Sequence, residues 1–177
     1  MTSWGQLLQP DLALGGSILR LTPELIVRYR LKGLILDVDE TLVSFKQNQP
    51  GDEVCRWLEQ IQAMLVKVVL VSNNVSHSRI SRIASTLGVK QFYIAAGKPS
   101  RRKLREAVEL MQLPHNEVAM VGDRLFTDVL GGNRLGLFTV LVEPMMDPVF
   151  ANSPKQCLRN AEIWVSQRFG VDLNGKD

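Results

Sequence analysis

Short runs rich in β-branched residues recur between longer amphipathic stretches, and this alternation narrows the folds open to the chain more than any other feature. Gly33 to Asp37, Lys67 to Ser72, Phe92 to Ala95, Val118 to Gly122 and Phe138 to Val142 read as strands. Runs that are apolar on both sides belong inside a parallel sheet covered by helices. Helical patterns lie between them at about Asp52 to Met64, Ser76 to Leu87, Ser100 to Gln112 and Phe126 to Leu135. Strict alternation of this kind predicts an α/β fold, a doubly wound parallel sheet with right-handed crossovers. The 177 residues give room for one such core. Residues 1–32 form a lead-in and residues 33–177 the core, with Glu143 to Pro154 read as a loop and Lys155 to Phe169 as a closing helix.

Composition removes several classes of protein. With 45% hydrophobic and 22% charged residues the chain is neither disordered nor a coiled coil. Its two cysteines, Cys55 and Cys157, form no CxxC pair, which excludes a disulfide scaffold and a cysteine-rich zinc site and fits a reducing compartment. Every apolar run is broken well short of the roughly 20 residues that span a bilayer, and Met1 to Pro10 has no signal-peptide pattern. A cytoplasmic location is therefore expected. The net charge of +3 favours anionic partners without naming one.

Doubly wound sheets bind ligands beyond the carboxyl ends of their strands, and four predicted strands end in chemically active residues. The first runs into Asp37-Val38-Asp39-Glu40-Thr41, the second into Ser72-Asn73-Asn74, and the fourth into Gly122-Asp123 with Asp128 close behind. Lys98 follows the third. Two carboxylates directly after a buried strand are costly unless a cation or a substrate compensates them. Singly, each residue has a plainer reading: Ser72 as a helix cap, Asp128 as a first-turn residue, Lys98 as a solvated loop lysine.

As an ordered set, Asp37-Val38-Asp39-Glu40-Thr41, Ser72, Lys98 and Gly122-Asp123-Arg124-Leu125-Phe126-Thr127-Asp128 resemble the motifs of the haloacid dehalogenase-like (HAD) phosphohydrolases, from Gly33 to about Val142. The resemblance implies a Rossmann-like sheet of five core strands in the order 3-2-1-4-5, counted along the chain. It implies Asp37 as nucleophile and Asp39 as the acid and base that protonates the leaving alcohol and then activates water. Ser72 and Lys98 complete the catalytic set, with Ser72 hydrogen-bonding the phosphoryl group and Lys98 neutralising it. Thr41, Asn73 and Arg101 are the expected substrate-binding residues. Mg²⁺, a hard cation that prefers oxygen ligands, is expected on Asp37, Asp39 through its carbonyl, Asp123 and Asp128.

The connections from Asp39 to Ser72 and from Ser72 to Lys98 each have room for one strand and one helix, so no cap domain is expected. An open site suits a phosphate on something bulky, unless a partner subunit or the segment Ser44 to Gly51 covers it. The lead-in combines apolar Trp4, Leu7, Leu8, Leu12, Leu14, Ile18, Leu19 and Leu21 with basic Arg28, Arg30 and Lys32. Such a segment docks on an anionic membrane face or folds over the sheet edge, and composition favours the second. Leu19-Arg20-Leu21-Thr22-Pro23-Glu24-Leu25 followed by the first motif resembles the subclass IIIA branch that includes phosphatidylglycerophosphate phosphatases. Glu40, where much of that branch carries Asn, departs from the pattern. The expected substrate is thus a phosphate monoester, a phospholipid first, acted on at the inner membrane face. A small metabolite or a phosphoprotein is the alternative, and a non-catalytic binding module the third reading. Nucleic acid is not an expected partner, because Arg101, Arg102, Lys103 and Arg105 lack interleaved aromatics. His77 and His115 have no ligand spacing.

Overall fold

A computed structural model describes residues 4–44, 47–145, 161–163, 167–168 and 170–173. The five expected strands are all present and parallel: β2 (Gly33–Leu36), β3 (Lys67–Val71), β4 (Phe92–Tyr93), β5 (Val118–Gly122) and β6 (Phe138–Leu141). Across the sheet they run β6-β5-β2-β3-β4, the order 3-2-1-4-5 of the expectation. A sixth strand, β1 (Leu12–Ala13), comes from the lead-in and pairs with β6 at the edge. At two residues it is too short to give a periodic signal in the sequence.

Between strands stand α3 (Asp52–Ala63), α4 (His77–Thr86), α5 (Arg102–Met111) and α6 (Leu130–Leu135), preceded by α1 (Trp4–Leu8) and α2 (Pro23–Arg28). Ser76 starts α4 by accepting the Arg79 N–H at 3.4 Å. All four residues of β2 and all five of β5 are buried, as central strands covered on both faces must be. The expected helix from Phe126 begins differently: Leu125–Val129 forms a turn of π-helix before α6.

The apolar residues of the lead-in are largely spent on the core. Leu8, Ile18, Leu21 and Ile26 are at most 1% exposed, and the Trp57 indole N–H on α3 donates to the Leu21 carbonyl at 2.8 Å. Trp4 and Val27 face outward. Most of the expected loop and closing helix beyond Met145 lies outside the described residues. Among the described residues no helix is long and apolar enough to cross a membrane.

Register fixes where the site falls. Leu36, the last residue of β2, stands opposite both Leu70 and Val121, one residue short of the ends of β3 and β5, so the three strands deliver Asp37, Ser72 and Asp123 to one rim. The Asp37 N–H donates to the Val121 carbonyl at 2.9 Å, which holds the first motif against the fourth strand's end.

Candidate active site

Asp37, Asp123 and Asp128 are buried, and carboxylate oxygens from all three lie within 4.8 Å of one another. Lys98 Nζ reaches into this group, 2.5 Å from Asp37 Oδ1 and 2.7 Å from Asp128 Oδ1. Three carboxylates against one ammonium leave a buried excess of negative charge, which a proton or a bound cation must offset. Burial pushes the Asp37 carboxyl up to about 6, and although Lys98 pulls it down, Asp128 and Asp39 add to the rise. Burial acts against the charge on Lys98, yet Asp128 and Asp37 outweigh it and hold the lysine above its ordinary value.

Gly122 makes the cluster possible. A Cβ there would lie 2.3 Å from Asp128 Oδ2 and 2.7 Å from Asp128 Cβ, so the Asp128 side chain occupies the space a larger residue would fill. The Arg124 N–H fixes the same carboxylate by donating to Oδ2 at 3.2 Å. The π-helical turn brings Asp128 back over the strand end; widened turns of this kind are frequent at functional sites. The three acids thus offer a compact set of hard oxygen donors, which fits a small divalent cation.

Asp39 faces a different set of partners. Arg79 Nη1 lies 2.5 Å from its Oδ1, and Asn74 Nδ2 donates to Oδ2 at 3.0 Å. Ser72 is buried, with its Oγ 3.5 Å from Asp39 Oδ2, and accepts the Asn74 N–H at 3.0 Å. Thr41 is fully buried, its Oγ1 3.5 Å from Asp37 Oδ2. Asn73 and Arg101, also read as substrate-binding, have protein partners as well. Asn73 accepts the Lys98 N–H at 2.8 Å and donates to the Lys98 carbonyl at 3.1 Å, pinning the loop that presents the lysine. Arg101 is exposed and donates to the Arg134 carbonyl at 3.2 Å. His115 Nδ1 pairs with the Leu135 carbonyl and His77 packs on Phe92, neither in the acidic cluster.

Sequence reasoning missed Arg79, and it placed Asn74 at the strand end without assigning it a role. A signal for Arg79 existed: a cation in the first turn of a helix opposes the helix dipole and needs a carboxylate close by. Which carboxylate that is depends on how the loops fold.

An acidic cluster pierced by one lysine, at the carboxyl edge of a doubly wound parallel sheet, defines a phosphoryl-transfer enzyme of the kind the motifs resemble. Residues 95–144 match the model of the HAD-hydrolase-like family. Over 129 residues the chain is 36% identical to the Bacillus subtilis protein named "Probable phosphatase YqeG", across 73% of this chain and 74% of that one. Over 130 residues it is 28% identical to the chloroplastic and mitochondrial phosphatidylglycerophosphate phosphatase 1 of Arabidopsis thaliana, across 69% of this chain and 37% of the plant protein. Its fold is similar to that of the cobalt-bound deoxy-D-mannose-octulosonate 8-phosphate phosphatase of Haemophilus influenzae, with a TM-score of 0.52 at 16% identity over 63% of this chain and 68% of that one. The chain belongs to the haloacid dehalogenase-like hydrolases and is a phosphatase of that superfamily.

Proposed function

We propose that the chain is a Mg²⁺-dependent phosphomonoesterase working through an aspartyl-phosphate on Asp37, with phosphatidylglycerophosphate as substrate and phosphatidylglycerol as product. The observation that carries the chemistry is the Asp37 carboxylate at the strand end, bonded to Lys98 with Asp123 and Asp128 beside it. A carboxylate oxygen of Asp37 attacks phosphorus, a bond forms between them, and the bond from phosphorus to the alcohol oxygen breaks. Asp39 gives its proton to that oxygen and later takes one from the water that attacks the acyl phosphate, which returns Asp37 and releases inorganic phosphate. Lys98 holds Asp37 in line and offsets phosphoryl charge, Ser72 donates to a phosphoryl oxygen, and Asn73 keeps Lys98 in place. Asp37, Asp123, Asp128 and the Asp39 carbonyl would hold Mg²⁺, whose charge when bound neutralises the phosphoryl oxygens.

The substrate reading rests on the relationship to the plant phosphatase and on the shape of the rim. The β2 to β3 connection is a loop and α3, and the β3 to β4 connection is a loop and α4, so no described element is inserted as a cap. Contact with a bilayer would fall to the outward Trp4 and Val27 together with exposed Arg28 and Arg30.

The test is a panel of phosphate esters with the purified chain: phosphatidylglycerophosphate in mixed micelles, ribonucleoside monophosphates, sugar phosphates and a phosphoserine peptide. The lipid should give the highest kcat/KM, phosphate release should stop in EDTA and resume with Mg²⁺, and hydroxylamine should trap the acyl phosphate. A soluble ester that outpaces the lipid removes the lipid assignment. Turnover in EDTA removes the metal.

A further inference from the structure

Arg124 sits between two members of the acidic triad, directly after Asp123, and opens the turn that carries Asp128. Its backbone secures Asp128, but its guanidinium forms an ion pair with Glu162, far along the chain. Glu162 is only 6% exposed. Its neighbour Ile163 packs against a small apolar cluster that joins Leu8 and Val171 to Leu125 and Val129 of the turn that carries Asp128. Gln9 and Asp172 tie the segments of Leu8 and Val171 together, with Gln9 Nε2 donating to the Asp172 carbonyl at 2.7 Å and the Asp172 N–H to Gln9 Oε1 at 2.9 Å. Ile163 thus makes an apolar contact beside Glu162 that is separate from the ion pair with Arg124.

A carboxylate this buried is costly to place unless it has a task that a neutral side chain could not perform. The surroundings of Arg124 supply one. Arg124 directly follows Asp123 in the chain and its backbone N–H is bonded to Asp128 Oδ2, so the guanidinium lies close to the triad as well as to Glu162. Turned toward the triad, it would compete with a divalent cation for the same oxygens. Left without Glu162, its positive charge would also repel that cation.

We propose that Glu162 is a positioning residue for the metal site: it holds the Arg124 side chain and neutralises its charge, which keeps Asp123 and Asp128 available to a divalent cation. The inference rests on the metal reading of the triad and concerns binding, not substrate.

The experiment is a Mn²⁺ titration of metal-stripped protein, with free Mn²⁺ read by electron paramagnetic resonance and thermal melting in EDTA as a check on folding. Glu162→Gln keeps the shape and removes the charge, and should raise the Mn²⁺ Kd about tenfold, the low end for residues that support metal ligands from outside. Adding Arg124→Gln to it should bring the Kd back to within about threefold of the parent, since the competing cation is gone. Ile163→Ala should lower the melting temperature while leaving the Kd within about twofold, which a merely structural role for the segment would not allow. An unchanged Kd in Glu162→Gln, no recovery in the double variant, or equal weakening by Ile163→Ala overturns the proposal. Should Glu162→Gln fail to fold, the double variant decides: parent-like binding supports the proposal and a Kd about tenfold higher overturns it. A parent protein that takes up no Mn²⁺ would overturn the metal reading as well, whereas normal parent binding untouched by Glu162→Gln would overturn this inference alone.

Discussion

Replacing Asp37 with asparagine should abolish phosphatase activity and, in the absence of metal, make the protein more stable at neutral pH. Burial together with Asp128 and Asp39 raises the Asp37 carboxyl from 3.8 to about 6 against the pull of Lys98. In the unfolded chain the same group titrates near 4. Between those values the folded state holds a proton that the unfolded state has lost, so the group's contribution is fully present below about pH 4 and is lost as pH rises through about 6. At 1.36 kcal/mol per pH unit, the change is worth about 3 kcal/mol. Asparagine does not titrate, so subtracting its unfolding free energy from that of the parent cancels the carboxylates remote from the site and leaves the titration of Asp37 with the groups coupled to it. Urea unfolding in EDTA at a series of pH values measures the difference. It should move by about 2 kcal/mol in favour of the variant between pH 4 and pH 7.5, the rest of the change lying below pH 4. Mg²⁺ at a hundredfold excess over its Kd should return about 2.7 kcal/mol to the parent at pH 7.5 and much less to the variant. A difference that stays flat with pH, or moves the other way, would mean that Lys98 dominates and that Asp37 is already ionised at pH 4.

Gly122→Ala should force Asp128 off its position beside Lys98, costing about 1–3 kcal/mol of stability and raising the Mn²⁺ Kd more than tenfold; a variant matching the parent in both would show that Asp128 does not depend on the missing Cβ. Asn73→Ala removes both bonds to the Lys98 backbone, so kcat should fall while Mn²⁺ binding to the acidic triad holds, and a loss confined to KM would restore Asn73 to direct substrate contact. Deleting residues 1–14 takes away β1 and the buried Leu8 and Leu12, which should cost several kcal/mol and depress turnover of soluble and lipid esters alike. Loss on vesicles alone, with an unchanged melting temperature, would assign the segment to membrane docking.

The sequence by itself determined the sheet, its direction and the acids on its rim. Strands buried on both faces must be largely apolar, and that demand is local, so β2, β3, β5 and β6 could be read from the sequence to within a residue. Asp37, Ser72, Lys98 and Asp123 were legible because each immediately follows, or nearly follows, a strand whose end was already known. Tertiary structure alone decided what those residues touch. Leu12 and Ala13 join the sheet because β6 offers an open edge, not because two residues have any preference of their own. Asn73 meets the Lys98 backbone because the loop bearing the lysine folds across it. Arg79 finds Asp39 forty positions away and Arg124 finds Glu162 thirty-eight positions away. A buried charge must be paired, which a sequence can announce, but the partner is chosen by the packing of distant segments, and no local pattern encodes that.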